Sequence, residues 1–307
     1  MSSINTNASA MTALKSLQMT NKALETTQSR ISTGYRVASA SDNAAYWSIA
    51  TTMRSDNKAL STVKDALGLG QAKLDTAYTG INAALDVVDE IKAKLVASKE
   101  PGVDKSKIQS EITQLQDQLT SIATSASFSG ENWLSVDSGA AGYSATKSVV
   151  ASFNRAADGT VSVSTIDIDT SSTKLFDADA TGTGILDTEF TTTGGGAVTV
   201  SVSTLDITAT GIDDTDLDEM ISNVDAALQS MTTAASDLGA AKSRVSMQAD
   251  FVSDLMDAID RGVGTLVDAD MNEESTRLQA LQVQQQLGIQ ALSIANSNQQ
   301  QILSLFR

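Results

Sequence analysis

Apolar residues recur in alternating steps of three and four from Leu60 to Leu95 and again from Leu217 to Ile259, the spacing of one helix face. Between these stretches the pattern changes to period-two alternation in a Gly, Ser, Thr and Asp background, the spacing of half-buried strands. The pattern predicts a mainly α protein. It would be an elongated, coiled-coil-like helical bundle built from both chain ends, with a small inserted β-rich outer domain. Neither helical half can hide its stripe alone, so the two must pack on each other.

The first segment, 2–36, places Ala10, Leu14, Leu17, Leu24 and Ile31 on one stripe, with Asn21 and Gln28 in the same register. A seam with polar members is weakly self-sufficient. Gly34 punctuates this helix. Ser41-Asp42 reads as the N-cap of the second helix. Its stripe runs through Leu60, Val63, Leu67, Gly70, Leu74, Ala77, Ile81, Leu85, Val88, Ile91 and Leu95. Pro101-Gly102 breaks it, and a return helix over 104–125 carries Ile108, Ile112, Leu115, Leu119 and Ile122 on one face.

In the third segment, 128–210, Val161, Val163, Ile166 and Ile168 read as one half-buried strand. Val198, Val200, Val202, Leu205 and Ile207 read as another. Asp158-Gly159 and Gly194-Gly195-Gly196 are the expected turns. A fourth segment reads as one helix from Asp216 to about Asp260, with heptad register breached at Lys242. The fifth, 272–307, is rich in Gln and Asn but carries Leu278, Leu281, Leu287, Leu292, Ile294, Ile302, Leu305 and Phe306. The expected domains are terminal helices at 1–36 and 271–307, a helical bundle at 37–136 and 213–270, and a β-rich region at 137–212.

Composition narrows the chemistry. The chain of 307 residues has no Cys and no His. Disulfides, thiolate metal sites, the commonest general base and the commonest zinc ligand are therefore absent. A net charge of −16 and a pI of about 4.3 disfavour nucleic acid and anionic membranes, both of which need clustered Lys and Arg. Residues 137–216 hold eleven Asp and one Glu against two Lys and one Arg, which marks the most solvent-facing stretch. No apolar run approaches a membrane span, and 1–20 lacks the basic and apolar regions of a secretory signal.

The acidic clusters have structural readings. Asp213-Asp214-Thr215-Asp216 with Asp218-Glu219 lacks the glycine and spacing of a calcium loop and reads as an acidic first helical turn. Asp167 and Asp169 read as the solvent face of a strand, and Asp268, Asp270, Glu273 and Glu274 as the opening of the last helix. Nothing positions a catalytic carboxylate pair, so no enzyme and no cofactor is expected. Gln284-Gln285-Gln286 and Gln299-Gln300-Gln301 read as a polar helix stripe. The end segments are poor in large apolar residues. Burial returns about 1.5–3 kcal/mol per large side chain. Ordering costs about 1–2 kcal/mol per residue in backbone entropy. Both termini are therefore expected to order only against neighbouring copies.

Four blocks carry a family resemblance. Ile4-Asn5-Thr6-Asn7 resembles the opening of bacterial flagellins. The run Ile31-Ser32-Thr33-Gly34-Tyr35-Arg36-Val37-Ala38-Ser39-Ala40-Ser41-Asp42-Asn43-Ala44-Ala45 resembles their N-terminal block. Leu238-Gly239-Ala240-Ala241-Lys242-Ser243-Arg244-Val245 resembles their Leu-Gly-Ala…Arg segment. The tail from Gln284 to Arg307 resembles their C-terminus. The strand segment resembles the reduced variable region of rhizobial-type flagellins.

The resemblance implies a structural subunit that polymerises into a helical flagellar filament for swimming. Its interface would comprise Ile4, Asn5, Leu14, Leu17, Leu24, Ile31, Arg36 and Asp42 near one end. At the other end it would comprise Leu278, Leu281, Leu287, Leu292, Ile302, Leu305 and Phe306. It implies extracellular assembly after export by the flagellar type III apparatus, without a cleaved signal. The partners it implies are other flagellin copies and paralogues, an export chaperone at the C-terminal region, a filament cap and hook-associated proteins. The polar stripe of the Gln runs would then face a wet lumen.

Tyr46-Trp47 stand where the family usually has Gly, and read either as a packing anchor between bundle helices or as an aromatic contact to a neighbouring copy. Flagellins sensed by the vertebrate innate receptor carry a Gln–Arg-rich patch where this chain has Asp86-Val87-Val88-Asp89. A hook–filament junction protein and a secreted coiled-coil adhesin are the alternative readings.

Overall fold

The computed structural model describes residues 7–179 and 182–305. Among them, the helices α1 (Ala8–Thr33), α2 (Ala44–Ser98) and α3 (Lys105–Ser125) precede a strand-containing stretch. The long helices α4 (Asp214–Val267) and α5 (Met271–Leu305) follow it. The chain divides into two compact units, one of 1–58 with 256–307 and one of 59–255. Both α2 and α4 contribute residues to each. The strand-containing stretch groups with the helices of the second unit, and the expected boundaries at 36 and 270 fall inside the first.

Local chemistry sets the helix ends. Asn7 caps α1 by accepting from the Ala10 amide. Gly34 closes α1 with φ 75°, the left-handed conformation a C-cap needs, and its amide donates to Arg30. Asn43, rather than the expected Ser41-Asp42, caps α2 by accepting from the Ala45 and Tyr46 amides. The Asp42 carboxylate is engaged one turn earlier, by Ser39 and the Ala38 amide. Asp104 caps α3, after the break at Pro101-Gly102.

In the second unit the stripe of α2 is buried as its spacing predicts, through Leu60, Leu67, Leu74, Ile81, Ile91 and Leu95. Ile112 and Leu119 of α3 and Leu217, Val224, Met231, Leu238 and Val245 of α4 are buried likewise, and ion pairs join α2 to both helices, Lys94 to Glu111 of α3 and Lys92 to Asp225 of α4. Lys242, the breach in the heptads of α4, pairs with Asp75 of α2 at 2.6 Å and stands 5.9 Å from the Tyr78 ring. The breach is thereby an interhelical clamp.

The strand-containing stretch forms four separate two-stranded sheets among the described residues. A hairpin joins β1 (Ser127–Phe128) to β2 (Glu131–Asn132) through Ser129 and Gly130, both at positive φ, as a tight primed turn requires. Strands β3 (Ser135–Val136) and β6 (Phe176–Asp177) pair in parallel. The longest ladder joins β4 (Thr146–Arg155) to β5 (Val161–Asp169), antiparallel, with a bulge between Val150 and Ser152. Strands β7 (Phe190–Thr191) and β8 (Thr199–Val200) flank the triple-glycine loop. The expected Asp158-Gly159 turn connects β4 to β5, with Gly159 at φ 88°.

Two strand expectations need correction. Val161 and Val163 do not share the buried face of Ile166 and Ile168. The three-residue step from Val163 to Ile166 changes parity, so the two valines face solvent. The stretch 198–207 is strand only at β8 and continues as a 3-10 turn at Val202–Thr204. Its backbone is held by glutamines of α3 instead of a ladder. Gln116 donates to the carbonyls of Val202 and Leu205, while Gln109 donates to Leu205 and accepts from the Ile207 amide. Within the same unit, a Cβ on Gly70 of α2 would stand 2.4 Å from Val149, so this glycine is where β4 seats on the helix. Gln248 of α4 donates to the Ala151 carbonyl at the bulge.

Candidate functional site

The first unit contains the terminal helices. α1 and α5 run antiparallel, because Asn7 donates to the Ala295 carbonyl, Leu17 lies against Gly288, Gln285 donates to Asn21, and Arg30 pairs with Glu274. The less exposed positions of α1 follow a heptad seam of Ala10, Leu17, Leu24 and Ile31, alternating with Ala13, Thr20 and Thr27. The facing seam of α5 alternates Glu274, Leu281, Gly288 and Ala295 with Leu278, Gln285 and Leu292.

The expected stripe of α1 is thus divided between this seam and the outer face. Leu17, Leu24, Ile31, Leu278, Leu281 and Leu292 face the partner helix, Asn21 is exposed at the seam's edge and meets Gln285 there, and Leu14 and Gln28 lie off the seam. Small and Thr side chains occupy the alternate rungs, a signal that the more apolar Leu14 obscured.

Each helix keeps apolar side chains that its partner does not cover. Leu14 is 46% exposed, Met11 and Met19 more so, and on α5 Val283, Leu287 and Ile294 form one outward stripe. Leu287, at 58% exposed, belonged to the expected interface, whereas Val283 did not. An aliphatic stripe of α5 thus stands uncovered on the side opposite its seam with α1.

Other expected interface residues have intramolecular partners. Arg36 donates to the carbonyls of Thr265 at 3.4 Å and Leu266 at 3.0 Å, so its cation closes the last turn of α4. The Arg36 and Val37 amides both donate to Val267, and Ala269 donates to Gly34, which stitches 34–37 to the junction of α4 and α5. Val37 joins Ala50, Val263 and Val267 in a small core. Backbone and hydroxyl donation from Ser39 holds the Asp42 carboxyl below the usual carboxylate range. Tyr46 and Trp47 open α2 at 42% and 38% exposure, and Arg54 lies 4.8 Å above the nearby Tyr35 ring. Ile4, Asn5 and Phe306 lie outside the described residues, as do the side chains of Ile302 and Leu305.

The acidic clusters are helix caps. Asp213 accepts from the Thr215 and Asp216 amides and Asp216 accepts back from the Asp213 amide, a reciprocal box at the start of α4. The triple-glycine loop supplies further donors, Gly195 to Asp213 and Gly196 to Asp216, and the Thr193 amide donates to Glu219. Asp218 pairs with Lys99. Hydrogen bonding from Thr192 and from the Asp213 and Gly196 amides holds Asp216 below the usual carboxylate range. Asp270 caps α5 in the same way. Among the described residues no grouping of three acidic side chains is arranged for a metal ion. Asp167 and Asp169 face solvent as expected. The Gln run does not make one stripe, because consecutive helical residues point in different directions. Gln285 faces α1 while Gln284 and Gln286 are exposed.

No helix among the described residues is long and apolar enough to cross a membrane. The bacterial flagellin N-terminal helical region matches residues 4–138, and the bacterial flagellin C-terminal helical region matches 221–306. Flagellin C of Rhizobium meliloti (strain 1021) is 55% identical over 325 aligned residues that span all of both chains. Flagellin A of the same strain is 48% identical over 396, and a flagellin of Brucella melitensis biotype 1 is 49% identical over 310, again with full coverage of both chains. With both helical regions matched and relatives this similar along the whole length, the chain belongs to the bacterial flagellin family.

Proposed function

We propose that the chain is a structural subunit of the helical flagellar filament, and that its terminal helices complete their burial against neighbouring copies. The observation that carries this reading is the Val283, Leu287 and Ile294 stripe, left uncovered on a helix that already has a partner. A heterologous contact whose rotation does not close into a ring would grow as a fibre. The contact would include the outer faces of α1 and α5, with Leu14 and Leu287 central, and Ile4, Asn5, Ile302, Leu305 and Phe306 at the ends. Tyr46 and Trp47 would add an aromatic contact to a neighbouring copy, because both rings remain partly uncovered at the start of α2.

The terminal pairs would line the inner tube, the helices of 37–136 and 213–270 would form the surrounding layer, and 137–212 would project outward. The subunit would be exported unfolded by the flagellar type III apparatus and would add beneath a distal cap. An export chaperone would bind its C-terminal region, and hook-associated proteins would flank the finished filament. The test is electron microscopy of the purified chain seeded with ammonium sulfate. Micrometre fibres are expected, and a soluble oligomer of fixed size would instead support an adhesin.

A further inference from the structure

The α1–α5 seam has little apolar chemistry with which to choose its own register. Half of its rungs are Ala, Gly, Thr or Gln, and a slip of one heptad would move α5 by about 10 Å while still placing mostly small or leucine side chains opposite one another. One rung differs. Glu274 is only 5% exposed, and its Oε1 accepts from Arg30 of α1 at 3.0 Å and from Arg277 of its own helix at 3.1 Å. The Arg277 contact survives any slip, because it lies within α5. The Arg30 contact does not, and a one-heptad slip would set Glu274 against Leu24 or move it off the end of α1.

We propose that Arg30 and Glu274 are positioning residues that fix the register of the terminal helix pair. The second carboxylate oxygen, Oε2, is buried without a hydrogen-bond partner among the described residues. An arrangement with an unsatisfied buried acceptor is a poor source of stability. A buried ion pair often stabilises less than apolar residues of similar volume, and setting register is the best-attested reason to keep one. Register matters because it decides where the outward stripe of α5 stands relative to Leu14 and Met11 of α1. A slipped subunit would offer neighbours a displaced surface. The inference depends on the filament reading only for the choice of fibres as one of two samples.

The absence of cysteine makes the test clean. A Cβ at Gly288 would lie 3.9 Å from the Leu17 Cβ. That is within the disulfide range of about 3.5–4.5 Å. Leu17→Cys with Gly288→Cys therefore reports native register. Leu24→Cys with Gly288→Cys and Leu17→Cys with Leu281→Cys report the two one-heptad slips. Intrachain disulfide is quantified after oxidation, both in fibres and in the soluble chain, with and without Arg30→Leu plus Glu274→Leu. The leucine pair should lower the native-register disulfide by roughly threefold or more and raise one of the slipped reporters. Unchanged native yield overturns the proposal, and so does a loss with no gain in either slipped reporter, which would mean that pairing itself had failed. If wild-type chain gives no fibres, the filament reading fails, while the register is still read in the soluble sample.

Discussion

Leu17 of α1 lies against Gly288 of α5, where an added Cβ would stand 3.2 Å from the leucine Cδ1. The contact is tight, but the opposing atom is the end of a flexible side chain. Gly288→Ala should therefore be tolerated, since alanine also favours the helix by about 1 kcal/mol over glycine. Gly288→Leu cannot be accommodated and should separate the helices. Sedimentation of seeded polymer checks both, with near-normal yield expected for alanine and a large loss for leucine.

Leu287 and Leu292 distinguish the outer face from the seam. Leu287 is exposed and Leu292 is half-buried toward α1. Aspartate at either position should abolish fibres. In the soluble chain, Leu287→Asp should leave an in-register 17–288 disulfide unchanged, whereas Leu292→Asp should weaken it. Equal disulfide yields from the two variants would contradict this division.

The seat of β4 on α2 is sterically closed. With Val149 2.4 Å from the position of a Cβ on Gly70, Gly70→Ala should destabilise the second unit by about 1–3 kcal/mol. Trimming the opposing side chain as well, with Val149→Ala, should recover part of the loss. Urea midpoints of both single variants, the double variant and the parent measure the coupling.

Acid sensitivity should originate in the strand-containing region. Burial alone would raise the Asp177 carboxyl, but Lys174, Ser138 and Thr183 donate to it and hold it far below the usual carboxylate range. A carboxyl depressed in the folded state stabilises the protein fully above its unfolded value near 3.8. The contribution falls as pH drops below that value, because the unfolded chain then binds the extra proton. Asp177→Asn should lower the urea midpoint at pH 6 and flatten its decline between pH 5 and pH 2. An unchanged decline would locate acid sensitivity elsewhere.

Much of this architecture is legible in the amino-acid order. The stripe of α2 is read directly from Leu60 to Leu95 because its large aliphatics recur at three- and four-residue steps and most of them are buried, while Leu69, off the stripe, is exposed. Gly34 is equally readable, since a C-cap needs its positive φ. The terminal seam is less so. Ala13, Thr20 and Thr27 make rungs that hydrophobicity ranks below Leu14, yet Leu14 is the residue left outside. The acidic start of α4 is visible, but its dependence on the triple-glycine loop is not, because amides from residues far earlier in the chain supply the donors. For the same reason 198–207 resembles a strand by alternation, while Gln109 and Gln116 supply the hydrogen bonds that a second strand would have given.

Hydrogen exchange across Ala8–Thr33 and Met271–Leu305, compared between soluble chain and fibre, tests most directly whether these helices finish their burial on neighbouring copies. Weak protection in the soluble chain, where α1 and α5 cover only each other's seam, and much stronger protection in the fibre is the result this account requires. Slow exchange of both segments in the isolated soluble chain, unchanged on polymerisation, would contradict it.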